Sequence, residues 1–182
     1  LEEHSELIDY FPEAHSHEHS IEVQLPFLQE VLNDFKIVPI SFNIDDQEKL
    51  SILVDALTSE LKGRKKWVIV ASTDLYHGQN YEEARRVTDR VDEYVSSFDS
   101  EGLLEFDREM RSRGACAACG ASAAAVNLMT CRKLGAGSIE LLNRTTSGDV
   151  TGQKTGYIVG YGTWTIVKKN ESNPEREEKK AM

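Results

Sequence analysis

The chain has 182 residues, 40% of them hydrophobic and 29% charged, with a formal net charge of −10. That length suits one domain with a real core, and the acidic balance argues against a nucleic-acid surface, which needs clustered Lys and Arg. No apolar run approaches the roughly 18 residues of a membrane span, no secretory pattern opens the chain, and three cysteines cannot all pair internally, so a cytoplasmic protein is expected.

The chain begins at Leu1, and LEEHSELIDYF reads as the middle of an amphipathic helix with Leu1, Leu7, Ile8 and Phe11 on one face. A removed leader or a piece of a longer protein is the expectation from such a start. PEAHSHEH, residues 12–19, reads as a loop whose alternating His15, His17 and His19 share one side if extended; the trio could ligate a metal, but a solvated loop is the more ordinary outcome. In SIEVQLPFLQEVLND, Ser20 can cap a helix with the stripe Ile21, Leu25, Leu28 and Leu32, and Pro26 predicts either a kink or a restart.

FKIVPISF, residues 35–42, reads as a strand, with Pro39 implying an edge or a bulge. Asp45 to Leu61 has helical spacing at Leu50, Leu53, Val54, Leu57 and Leu61, and Gly63 stops it. Trp67 to Ala71 is a continuous, β-branched apolar run, which predicts a strand buried on both faces. Strand, helix, strand is the order of a crossover unit in a largely parallel sheet.

Helices are predicted over Tyr81–Phe98, over Ser100–Arg111, and over about Gly120–Leu134, the last alanine-rich and suited to close approach to a sheet. Ser138–Thr146 and Gly156–Val167 have strand composition, joined by the polar SGDVTGQKT. The expected organisation is one α/β domain over residues 1–167, with a mixed, largely parallel sheet flanked by helices, followed by a charged, disordered tail over residues 168–182.

Two clusters can carry chemistry. The Trp67–Ala71 run ends in Ser72, Thr73, Asp74 and His77, at the carboxyl end of a predicted strand, where open α/β sheets place ligands. Asp74 and His77 stand three apart, so the carboxylate could orient the ring of a general base; the plain alternative is that Asp74 caps a turn. Cys116 and Cys119 precede the alanine-rich helix, whose N-terminus favours a thiolate, hence a nucleophile or a metal ligand. A redox pair and a structural zinc both fit poorly, and the balance favours one functional cysteine with the other, like Cys131, a small buried residue.

EHSIEVQLPF at 18–27, STDLYHG at 72–78 and the Cys-Gly pair at 119–120 together make the chain resemble the Memo family, in microbes also described as protein B of the AmmeMemoRadiSam system. The resemblance implies an α/β sandwich like that of class III extradiol dioxygenases, incomplete here at the N-terminus. It implies that Cys119 occupies a metal-ligand position, that Asp74 and His77 line the same pocket with His77 as acid-base, and that His19, Glu18 and Glu22 support it. The family's His-Ala-Gly and Ser-His-His segments, which supply two metal-ligating histidines, are absent from these residues. Iron or copper is therefore expected in complete members and weak or absent here, because a metal needs about three protein ligands. The resemblance leaves three functions open: a metal-dependent redox protein, a non-catalytic ligand- or peptide-binding protein, or a scaffold that needs a partner chain. Expected partners are a small molecule or peptide, a second copy, and the radical-SAM system.

Overall fold

The structure, a computed structural model, describes residues 1–42, 44 and 46–168. In chain order its regular elements are α1 (Leu25–Val31), α2 (Gln47–Leu61), β1 (His77–Gly78), α3 (Tyr81–Ser96), α4 (Ser100–Ser112), α5 (Ala121–Lys133), β2 (Ala136–Thr146), α6 (Ser147–Thr151) and β3 (Ile158–Lys168).

The first 42 residues depart furthest from expectation. Only a short 3-10 turn at Glu2–His4 forms where the pattern predicts a helix, and the expected apolar face is split: Ile8 packs against the core while Leu7 and Phe11 are 65% and 60% exposed. A second 3-10 turn spans Pro12–His15 within the expected loop. Of the two outcomes open at Pro26 the restart is realised: a 3-10 turn over Glu22–Gln24 gives way to α1 with Pro26 in its first turn, where its missing N–H costs no helical hydrogen bond. Ser20 caps neither; its N–H donates to Glu18 Oε1.

The predicted strand over Phe35–Phe42 is unpaired among the described residues, with Ile37 and Val38 exposed around Pro39. The Trp67–Ala71 strand is likewise unpaired, and it is not buried on both faces: Trp67, Ile69 and Ala71 are half-buried while Val68 and Val70 are exposed. Burial thus alternates, the signature of a one-sided extended segment.

The remainder follows the sequence closely. α2 carries Leu50, Leu53 and Val54 into the core, Asp46 caps it by accepting the Glu48 and Lys49 N–H groups, and Gly63 at φ +76° ends it. Asp45 lies outside the described residues. α3 buries Val87, Val91 and Val95, and α4 buries Leu103, Leu104 and Met110. α5 packs its Ala121, Ala125 and Leu128 chiefly against α2 and α4 and less against β2, so its small residues permit close helix approach more than sheet approach. β2 and β3 form a long antiparallel hairpin, with α6 in the polar connection, laid over α3. Trp164 Nε1 donates to Asp92 on α3, and Arg144 pairs with Asp89 and Asp92.

The sheet order is β1-β3-β2, antiparallel throughout. The molecule is mixed α/β, but the largely parallel sheet is not among the described strands, because neither segment that would have supplied a parallel neighbour to α2 is hydrogen-bonded into a ladder. Lys168, expected in the tail, is the last residue of β3; the remaining tail residues lie outside the described ones. No helix among the described residues is long and apolar enough to cross a membrane.

Candidate functional site

Residues 74–76 leave the Trp67–Ala71 segment and lock onto β3: the Leu75 N–H donates to the Gly160 carbonyl at 3.0 Å, and the Gly160 N–H to the Tyr76 carbonyl at 2.8 Å. A side chain at Gly160 would collide with Thr88 Oγ1, so glycine is what allows this approach over α3. Leu75 and Tyr76 are buried, and this fixed pair sets the exit of the chain into Asp74 on one side and His77 on the other.

Asp74 and Cys119 are joined reciprocally. The Cys119 N–H donates to the Asp74 carbonyl at 3.0 Å, and the Asp74 N–H donates to Cys119 Sγ at 3.2 Å. Thr73 Oγ1 lies 3.6 Å from the same sulfur and accepts the Gly120 N–H at 2.8 Å. A Cβ on Gly120 would stand 2.7 Å from the Ser72 carbonyl oxygen, which explains a glycine directly after the cysteine at a φ any residue can adopt. The STD and Cys-Gly motifs, distant in sequence, are therefore one structure.

His77 is hydrogen-bonded at one ring nitrogen and, among the described residues, without a hydrogen-bond partner at the other. Nδ1 is 3.0 Å from the Tyr157 hydroxyl, and the two rings meet edge to face. The Asp74 carboxylate lies 3.5 Å from Nε2, close enough to attract a charged ring but without hydrogen-bond geometry, so Nε2 is a buried nitrogen with no hydrogen-bond partner. When the Tyr157 hydroxyl donates to Nδ1, Nε2 carries a proton to give; when Nδ1 donates, Nε2 is a base. Tyr157 sits in the connection before β3, outside every motif, and has no sequence signal beyond strand-like composition.

The two cysteines of the C-A-A-C run are sorted. Cys119 is exposed and accepts hydrogen bonds, whereas Cys116 is half-buried, with its thiol 3.6 Å from the Asp107 carboxylate. Burial first, and the Asp107 charge second, push the Cys116 thiol up to about 12, so it stays protonated at neutral pH. Cys131 is a third, half-buried thiol that donates to Asn127 on its own helix and is raised by burial.

The third group of expected site residues stays apart. His19 Nδ1 is 2.7 Å from Glu22 Oε1, both well exposed, and the Ser20 N–H holds the Glu18 carboxyl below its usual range. Among the described residues none of the three is hydrogen-bonded or ion-paired to Asp74, His77 or Cys119. The link from their motif to the site is instead Gln24, whose Nε2 donates to Ser72 Oγ at 2.9 Å.

A metal held here would draw on Cys119 and the free Nε2 of His77. Among the described residues no group of three or more His, Cys, Asp or Glu side chains is gathered to hold an ion, His15, His17 and His19 included. Two donors fall short of the roughly three protein ligands such sites use, so the residues present do not by themselves fit a metal.

The Memo-like protein family profile matches residues 1–165. Relatives include a MEMO1 family protein of Archaeoglobus fulgidus, 36% identical over 81% of this chain and 54% of its own length, and one of Methanosarcina mazei, 37% identical over 85% and 57%. A third, from Methanopyrus kandleri, is 33% identical over 81% of this chain and 51% of its own. The chain spans about half the length of these curated relatives, and no solved structure matches it. With a profile match over nearly all the described residues, and with two of its three motifs locked together and the third tied to them through Gln24, the chain belongs to the Memo-like protein family.

Proposed function

We propose that Asp74, His77, Cys119 and Tyr157 form the thiol and proton-transfer face of a redox pocket of the kind found in non-haem-iron dioxygenases, and that this chain alone holds iron or copper weakly. The carrying observation is the buried, unpartnered Nε2 of His77 beside the Asp74 carboxylate, on the same backbone segment that fixes the Cys119 sulfur. An unsatisfied buried nitrogen is costly, on the order of 1–3 kcal/mol, and is most simply accounted for by a group it meets in function. The residues supply a proton donor or acceptor at Nε2, a fixed sulfur, and a phenol that sets the ring tautomer. The ligand is a small molecule or peptide met in the cytoplasm, with proteins of the radical-SAM system as partners.

Dialysis of the full chain against iron(II) or copper(I), followed by elemental analysis, tests the metal part. Sub-stoichiometric retention that falls further in Cys119→Ala is expected; close to one ion per chain surviving dialysis would sink the claim of weak binding. For the proton-transfer part, His77→Gln in a longer family member should abolish oxidation of catechol-like substrates under controlled oxygen.

A second reading, a scaffold completed by another polypeptide, is favoured by a separate observation. Phe27, Val31, Val38, Val68 and Val70 are 73%, 73%, 74%, 68% and 49% exposed, and all lie before the Asp74 junction. A completing polypeptide would cover such exposed apolar side chains, which in a contiguous patch a monomer rarely leaves to water. The extradiol-dioxygenase-like sandwich with a largely parallel sheet is then the completed fold, with residues 35–42 and 67–71 entering it as strands. Sedimentation velocity across a roughly hundredfold concentration range tests this; a monomer throughout counts against it.

A further inference from the structure

Asp107, on α4, is only 6% exposed and belongs to no motif. Its Oδ1 accepts the Ala117 N–H at 3.0 Å and the Ala118 N–H at 3.1 Å, with the Cys116 thiol at 3.6 Å, while Oδ2 accepts Arg111 Nε at 2.6 Å. Arg111 Nη2 also reaches the Cys119 carbonyl at 3.5 Å and Cys116 Sγ at 3.8 Å. The next two amides turn the opposite way, Cys119 to the Asp74 carbonyl and Gly120 to Thr73 Oγ1.

Four successive N–H groups are thus divided, two to a buried carboxylate on α4 and two to the 73–74 segment. The division falls between Ala118 and Cys119. It leaves the Cys116 sulfur on the α4 side and the Cys119 sulfur on the Asp74 side. The same loop pairs Cys116 with His77 in an isolated antiparallel bridge, so both ends of the site depend on where it is anchored.

We propose that Asp107 is a positioning residue of the site: by anchoring Ala117 and Ala118 it holds the Cys119 thiol at Asp74 and keeps the Cys116 thiol turned to α4, so that Cys119 alone is open to reaction. This rests on the reading of Cys119 as the thiol of the site. A carboxylate that merely stabilised the loop would not distinguish the two sulfurs.

The full chain, unsubstituted or carrying Asp107→Ala or Asp107→Asn, is treated with iodoacetamide at one fixed pH under native conditions. Each sulfur displaces iodide, forming a carbon–sulfur bond and releasing a proton, and peptide mass spectrometry follows the three cysteines separately, with Cys131 as reference. In the unsubstituted chain Cys119 is expected to react about tenfold or more faster than Cys116, as an exposed thiol beside a half-buried one does. Asp107→Ala should bring the two rates within about threefold while Cys131 is unchanged, and Asp107→Asn, which keeps an oxygen for the two amides, should fall between.

An unchanged ratio in a folded Asp107→Ala, or a parallel rise at all three cysteines, overturns the proposal. Should Asp107→Ala fail to fold, Asp107→Ser, whose hydroxyl is too short to hold both amides, takes its place, with the same outcomes. Metal content does not enter the ratio, so failure of the redox reading and failure of this role appear in different measurements.

Discussion

The residues before Asp74 and those after it use the same kinds of amino acid to different ends. After the junction, α3, α4 and α5 close over one another, and the β2–β3 hairpin covers α3, so Leu75, Leu103 and Ile158 are essentially inaccessible. Before it only α2 contributes strongly to that core, and Phe27, Val31, Val38 and Val68 face outward. The division is one of degree, since Leu142 and Val150 are also exposed after the junction and Ile8, Ile40 and Phe42 reach the core before it; what differs is how many elements share one packed interior. The site lies where the regions meet, tied to the first by Gln24 and Ser72 and built mainly from the second.

The sharpest way to break this contrast is to remove a side chain from the closed region. Leu103→Ala should destabilise the chain by about 2–5 kcal/mol, because Leu103 is fully buried between helices that cannot collapse freely onto the cavity. Urea unfolding followed by circular dichroism checks it. A loss below about 1 kcal/mol would mean that the second region is as loosely covered as the first.

At the junction itself, Gly120→Ala should cost about 1–3 kcal/mol, since its Cβ would sit 2.7 Å from the Ser72 oxygen and 2.9 Å from Thr73 Cβ. The clash pushes the Cys119 loop away from Asp74, so iodoacetamide should also report a changed Cys119 rate. Unaltered stability and an unaltered rate together would show that the two motifs are not packed as described.

Legibility from sequence follows the same division. α2 to α5 and the strands β2 and β3, though not their antiparallel pairing, are readable because periodicity and caps agree with the burial each element finds: the Leu50, Leu53 and Val54 face meets a core, and Asp46 stands where the first turn needs an acceptor. The segments Leu1–Phe11, Phe35–Phe42 and Trp67–Ala71 carry equally good patterns, but only single residues of them such as Ile8, Ile40 and Phe42 pack against the core and none joins a ladder among the described residues, and a pattern states only that a face is apolar. In the site, Asp74, His77 and Cys119 are legible because family motifs mark them, and the structure brings all three together. The grouping of His19, Glu18 and Glu22 with them has no supporting contact among the described residues, since that pairing depends on how an exposed turn is held. Tyr157 and Asp107 escape the sequence for a different reason: their contacts, to His77 and to the Ala117 and Ala118 amides, lie beyond their own elements, where no local spacing encodes them.

A smaller effect is expected where α6 joins the hairpin to α3. Tyr81 donates to Asp149 at 2.5 Å, and Asp149 also closes the capping box with Thr146, so hydrogen bonds from Tyr81 first and Thr146 second hold its carboxyl below the ordinary value of 3.8. A depressed carboxyl contributes stability that is present above the ordinary aspartate range and is lost as the pH falls through the lowered value. Tyr81→Phe should therefore cost about 0.5–1 kcal/mol at neutral pH, at the low end for a hydrogen bond to a charged group because the carboxylate is solvent-screened. The difference from the unsubstituted chain should narrow below about pH 4 in thermal melts. A gap that widens on acidification would contradict the sign.

The smallest change in stability should come from Val70→Ser, and it discriminates most directly between an exposed face and a covered one. Val70 is 49% exposed on the outward side of the 67–71 segment, so replacing it removes little buried apolar area, and the folded chain should shift by no more than about 0.5 kcal/mol. Association is another matter, because an apolar residue on the same outward side as Val68, in an unpaired extended segment, contributes to any strand or copy that docks there. If sedimentation shows self-association in the unsubstituted chain, Val70→Ser should weaken it while melting at low concentration is unmoved. A loss of monomer stability above about 1 kcal/mol would instead place Val70 in a covered position and erase the contrast between the two regions.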